Sequence, residues 1–130
     1  MMDFIEILKQ EIEKSYKGHR IDIRYLSDDI GGKPPAIFLE PGSESSGMNS
    51  ISKTGKKISF TVYYIDSYTS SKTEKVVREA QKLRDFIVNN PEVRKKIVNI
   101  NTNLNTKTEK VGESLMGAFL GIISINIQLR

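Results

Sequence analysis

Phe4, Ile5, Leu8, Ile12 and Tyr16 recur at helical spacing, with Glu6, Lys9, Glu11, Glu13 and Lys14 between them. Positions three and four apart share one side of a helix, so the pattern predicts an amphipathic first helix with one stripe turned to a core. Gly18 ends it, because glycine reaches the left-handed backbone of a C′ position at no steric cost. The period then drops to two: Ile21, Ile23 and Tyr25 alternate with Asp22 and Arg24, the signature of a half-buried strand. Asp28-Asp29-Ile30-Gly31-Gly32-Lys33-Pro34-Pro35 is turn chemistry. It delivers a short strand, Ala36-Ile37-Phe38-Leu39-Glu40, which Pro41 closes for want of an amide hydrogen.

Gly42 to Gly55 is Ser, Gly and charge, with Met48 and Ile51 its only large apolar residues, so the chain is expected to make a long exposed loop over 42–56. Loops of that length in compact folds tend to be functional, which makes this the first candidate contact element. Lys57 to Ile65 reads as the best strand: Ile58, Phe60, Val62 and Tyr64 on one face, Ser59, Thr61, Tyr63 and Ile65 on the other. Apolar content on both faces at Tyr63 and Ile65 predicts a central strand covered on both sides at that end.

Ser71-Lys72-Thr73-Glu74 fits a capping box and predicts the start of a second helix with the buried stripe Val76, Val77, Ala80, Leu83, Phe86 and Ile87. Asn89-Asn90-Pro91 ends it, and Asn90 is placed to cap one further turn over Glu92 to Lys96. Val98, Ile100, Thr102 and Leu104 then alternate with Asn99, Asn101, Asn103 and Asn105, a strand whose outer row is all asparagine. After a polar loop, Thr106 to Ser114, the last strand puts Phe119, Gly121, Ile123, Ile125, Ile127 and Leu129 on one face, with Ser124, Asn126, Gln128 and Arg130 on the other. The expected fold is α+β, in the order α-β-β-β-α-β-β: a mostly antiparallel sheet with two main helices packed on one face, forming a single domain over 1–130.

Composition narrows the chemistry. The chain has no cysteine and one histidine, His19, which removes disulfides, thiolate metal sites and most triad arrangements. Gly55-Lys56-Lys57 has the glycine-lysine pair of a phosphate loop, but Ser50 and Lys57 stand where that motif needs Gly and Ser/Thr. No nucleophile elbow surrounds the serines of 42–55, and Asp28, Asp29 and Asp66 are the acids that an enzyme reading would have to use. The sequence therefore predicts no enzyme, no cofactor and no metal. Net charge is +4, carried by the half after Ile65, where eleven Lys/Arg face seven Asp/Glu. With Lys53, Lys56 and Lys57 beside Tyr63, that surplus leaves a small basic nucleic-acid-binding α+β module as the alternative. The longest apolar stretch, Leu115 to Ile123, is broken by Gly117 and Gly121 and is shorter than the ~20 residues of a spanning helix. No secretory signal pattern opens the chain, so a cytoplasmic address is expected.

Taken together, the helix Phe4 to Tyr16, the strand Ile21-Asp22-Ile23-Arg24-Tyr25, the strand Pro34-Pro35-Ala36-Ile37-Phe38-Leu39, a loop, the aromatic strand Lys57 to Tyr64, the helix from Ser71 and the aliphatic strand Ile122 to Leu129 resemble the tail terminator family. This family, also called tail completion or collar proteins, belongs to long-tailed bacteriophages and phage-tail-like bacteriocins. The resemblance implies an architectural role: a six-membered ring that sits on the last ring of the tail tube, halts its growth and provides the head-joining or collar surface. It implies as partners further copies of the chain, the tail tube protein, and a head-tail connector or a collar or sheath protein. No membrane is implied, and DNA would pass through the ring without sequence-specific contact. Assembly in the bacterial host cytoplasm and residence in the particle follow from the same likeness. On this reading Met48, Ile51, Lys53, Lys56 and Lys57 are the tube-facing or channel-facing residues, with Met48 and Ile51 ordering on contact, and Tyr63, Asn101 and Asn103 are candidates for subunit contact.

Overall fold

A computed structural model describes residues 1–25, 35–46, 56–67, 72–110 and 117–130. The elements follow the expected order: α1 (Met2–Ser15), β1 (Arg20–Ile23), β2 (Ala36–Ser46), β3 (Lys56–Ser67), α2 (Thr73–Asn89), α3 (Pro91–Arg94), β4 (Ile97–Lys110) and β5 (Gly117–Leu129). The strands form one sheet in the order β1-β2-β3-β5-β4. Among the described strands the β1–β2 pair is parallel, and β2–β3, β3–β5 and β4–β5 are antiparallel. Residues 24–35 separate β1 from β2, about the length that a return to a parallel neighbour requires. β3 is central, as its two-sided apolar content predicted.

Both main helices lie on one face. Phe4, Ile5, Leu8 and Ile12 of α1, and Val76, Ala80, Leu83 and Ile87 of α2, pack with Ile37, Leu39, Ile58, Phe60, Val62, Tyr64, Ile123, Ile125 and Ile127 in one buried cluster. Burying side chains of this size contributes roughly 1.5–3 kcal/mol each, so this layer dominates the favourable terms of folding. Two features set its geometry. Gly18 takes φ +92, the left-handed turn that releases the chain from α1 into β1. At Gly121 a Cβ would lie 2.5 Å from the Cβ of Ala80, so α2 crosses β5 where the Ala80 methyl already fills the space that a side chain on Gly121 would need.

Asn90 caps α3 as expected: its Oδ1 accepts from the amides of Glu92, at 3.0 Å, and Val93, at 3.1 Å. Its side-chain amide also donates to Glu11 at 3.3 Å, tying α1 to the α2–α3 corner. α3 spans Pro91–Arg94, a shorter turn than Glu92 to Lys96. The capping serine, Ser71, lies outside the described residues. α2 starts at Thr73, and Lys72 stands at its N-cap without a side-chain capping bond.

Three expectations need correction. Pro41 does not close β2, which continues to Ser46 through a bulge between Pro41 and Ser43. A bulge tolerates the missing proline amide. Gly42 permits the close passage, since a Cβ there would meet the Ser59 carbonyl oxygen at 2.2 Å. The expected loop over 42–56 is accordingly strand at both ends: Glu44 pairs with Ile58, and Ser46 with Lys56. Second, Thr106–Lys110 is strand, paired to Gly117–Gly121, where a loop was expected. Thr106 and Thr108 are β-branched and suit that role. Third, a bulge between Ile97 and Asn99 turns Val98 out, 60% exposed, and puts Ile97 into the core in its place.

Candidate functional site

The register lays the helix-free face of the sheet out as cross-strand rows, because directly opposed residues point to the same side. The rows run Ser45-Lys57-Gln128-Asn99, then Ser43-Ser59-Asn126-Asn101, then Glu40-Thr61-Ser124-Asn103. Between Lys57 and Glu40 this surface consists of hydroxyls and carboxamides. Ser59 donates to Asn126 Oδ1 at 2.6 Å within it. Its relief is shallow: open depressions of about 350 Å³ and 300 Å³ run over Ser43, Ser59 and Asn126.

Further along the same face the chemistry changes. Ala36, Phe38, Ile65, Ala118 and Leu120 form a second buried cluster, with Tyr63 and Ile122 packed against it. The guanidiniums of Arg20 and Arg24 lie over the Phe38 ring, 5.4 Å and 5.3 Å from its centroid. Asp22 sits between them, 2.8 Å from Arg20. The sequence reading placed Tyr63 and Ile65 here but missed Leu120 and Ile122. The signal was available in the absence of any polar side chain from Ala118 to Ile123, which marks a strand covered on both faces.

Among the expected contact residues, Met48, Ile51 and Lys53 lie outside the described residues. Lys56 and Lys57 are exposed and belong to the start of β3 rather than to a loop. Lys56 is 4.0 Å from Glu44, whose carboxyl accepts at 3.0 Å from the Met1 ammonium and is thereby held below the ordinary carboxylate value. Tyr63 is half-buried and donates to Glu40 Oε2 at 2.9 Å, which aims its hydroxyl at an acid. Asn101 and Asn103 are exposed on β4. The register thus brings Lys57, Tyr63, Asn101 and Asn103 onto one face.

Asp66 and His19 are used internally. Asp66 is buried, accepts from the Ser67 amide at 2.8 Å and lies 3.6 Å from Lys72 Nζ. Asp28 and Asp29 lie outside the described residues. His19 is wedged against Tyr16 and Tyr64, with Nε2 3.3 Å from the Tyr64 hydroxyl. Burial pushes the Tyr64 phenol up to about 12, helped by the negative charges of Glu79 and Asp66. Among the described residues no group of three or more His, Cys, Asp or Glu side chains converges as a metal site would require. No described helix is long and apolar enough to cross a membrane.

No family model matches the chain. No curated protein matches it either. Among solved structures, 98% of this chain aligns with 90% of a chain from the virion of a native gene transfer agent (GTA) particle, at 10% identity and a TM-score of 0.45. A likeness that loose assigns no function.

Proposed function

We propose that this chain is a structural protein of a phage tail or phage-tail-like particle, and that it acts as the tail terminator. In this reading copies of the chain close into a ring, six-membered as in the family it resembles. The ring seats on the last ring of the tail tube, stops its polymerisation, and offers its other side to a connector or to collar proteins. Assembly takes place in the bacterial host cytoplasm, and the finished protein resides in the particle.

One observation carries the reading. The sheet is covered by helices on one face and presents on the other a shallow field of hydroxyl and carboxamide groups, next to a cluster of apolar side chains already buried within the chain. Such a surface suits a broad protein contact, because many small donors and acceptors fix its register. An enclosed ligand site has the opposite design, concave and mostly apolar with few polar groups. Closed rings need unlike patches that meet head to tail, and the hydroxyl and carboxamide field is unlike the helix-covered side of the molecule.

Light scattering over a concentration series, with negative-stain microscopy of the same samples, tests this. Rings, or binding confined to the ends of tail tubes, are expected. Absence of both would overturn the proposal. DNA affinity that falls steeply with added salt would favour the nucleic-acid module instead.

A further inference from the structure

We infer that the outer edge of β4 pairs with β4 of a second copy of this chain, antiparallel and centred on Thr102. Among the described strands β4 is the last on its side of the sheet, so alternate backbone amides and carbonyls turn away from β5. Folded proteins blunt such edges with charge, proline or shortness. This one spans Ile97–Lys110, and between Asn99 and Thr108 it carries no proline, no glycine and a single charge, Lys107. Asn99, Asn101, Asn103 and Asn105 are all exposed along it.

The strand's own sequence names the partner. When a strand pairs antiparallel with itself, the contact has two-fold symmetry, and each residue faces the one equally far on the other side of the axis. With the axis at Thr102, Asn101 faces Asn103, Asn99 faces Asn105, and Ile100 faces Leu104. Every carboxamide on the helix-free side then meets a carboxamide. Such a group both donates and accepts, so like meets like favourably where charged groups would repel. On the opposite side half-buried Ile100 and Leu104, which already pack against the core cluster, meet each other. Lys107 faces no second cation. Shifting the axis by one position, to Asn103, breaks the asparagine pairs at the ends and sets Ile100 against Thr106. The Thr102 register is the one that matches both faces. This contact closes on a pair through the backbone edge of β4, whereas a ring needs a head-to-tail contact, so it does not depend on the terminator reading.

The full chain tests the inference. Light scattering of the wild type, at concentrations below those that give rings, should approach twice the chain mass. N101K/N103K places cations opposite one another and should hold the chain at single mass, whereas N101K/N103E pairs opposite charges and should restore the doubled mass. Both changes lie at exposed positions, and circular dichroism checks that each variant folds. Because the chain lacks cysteine, a single Cys gives a clean register probe. Directly opposed antiparallel residues have Cα atoms about 4.5–5.5 Å apart, within disulfide range. Thr102→Cys should therefore accumulate a disulfide-linked dimer on mild oxidation, while Asn99→Cys and Asn105→Cys should not. A wild type that stays at single mass, a doubled mass that survives N101K/N103K, or equal cross-linking at all three positions would overturn the inference.

Discussion

Tyr64 shows how one side chain can make the fold sensitive to alkali. It lies 2% exposed between the sheet and the helices, beside His19, and its phenol stays neutral up to about 12. An unfolded tyrosine ionises near 10. The folded value is therefore the raised one, so the contribution is fully present below about pH 10 and is lost as pH climbs from there to about 12. Tyr16, also raised by burial, acts in the same direction. Urea midpoints measured from pH 9 to 11.5 should fall more steeply for the wild type than for Tyr64→Phe, and parallel curves would refute this. The burial of Tyr64 was legible from its place in the alternating row of β3. The position of His19 against it was not, because that contact joins residues far apart in sequence across a helix end.

At the scale of elements, helix stripes and strand alternation were readable because each follows from a local period. Asn90 likewise announced itself through the proline after it. Bulges were not readable, since they depend on register with a neighbouring strand: nothing local distinguishes Val98, which is exposed, from Ile97, which is buried. The same holds for Gly42, whose role is visible only once the Ser59 carbonyl lies against it. Where α2 crosses β5, the alternation placed Gly121 on the inner face, but the Ala80 methyl that needs its space comes from another element. Gly121→Ala puts a Cβ 2.5 Å from that methyl. Overpacking of this kind costs about 1–3 kcal/mol, so the urea midpoint should drop and the loss should shrink when Ala80→Gly is added. An unchanged midpoint for the single variant would show that α2 yields freely.

Across the whole molecule, the sheet divides its labour between faces and, on the helix-free face, between ends. The candidate surface was legible as an asparagine row and an aromatic strand; its continuity from Ser43 through Ser59 and Asn126 to Asn101 emerges only from the strand order. One half of this face stabilises the fold and the other half contributes little, so the two respond differently to substitution. Phe38 and Leu120 are buried in the apolar patch. Truncating either to Ala removes packed volume, at a cost of about 2–5 kcal/mol. Ser43→Lys and Asn126→Lys fall on exposed positions of the polar half, where substitutions usually stay within about 0.5 kcal/mol. Thermal melting should therefore separate the pairs sharply. If the polar half is where copies or the tube dock, the two lysine variants keep the wild-type melting temperature and lose the assemblies seen by light scattering. Equal destabilisation in both pairs would mean that the hydroxyl and carboxamide field supports the fold, and that the docking surface lies elsewhere.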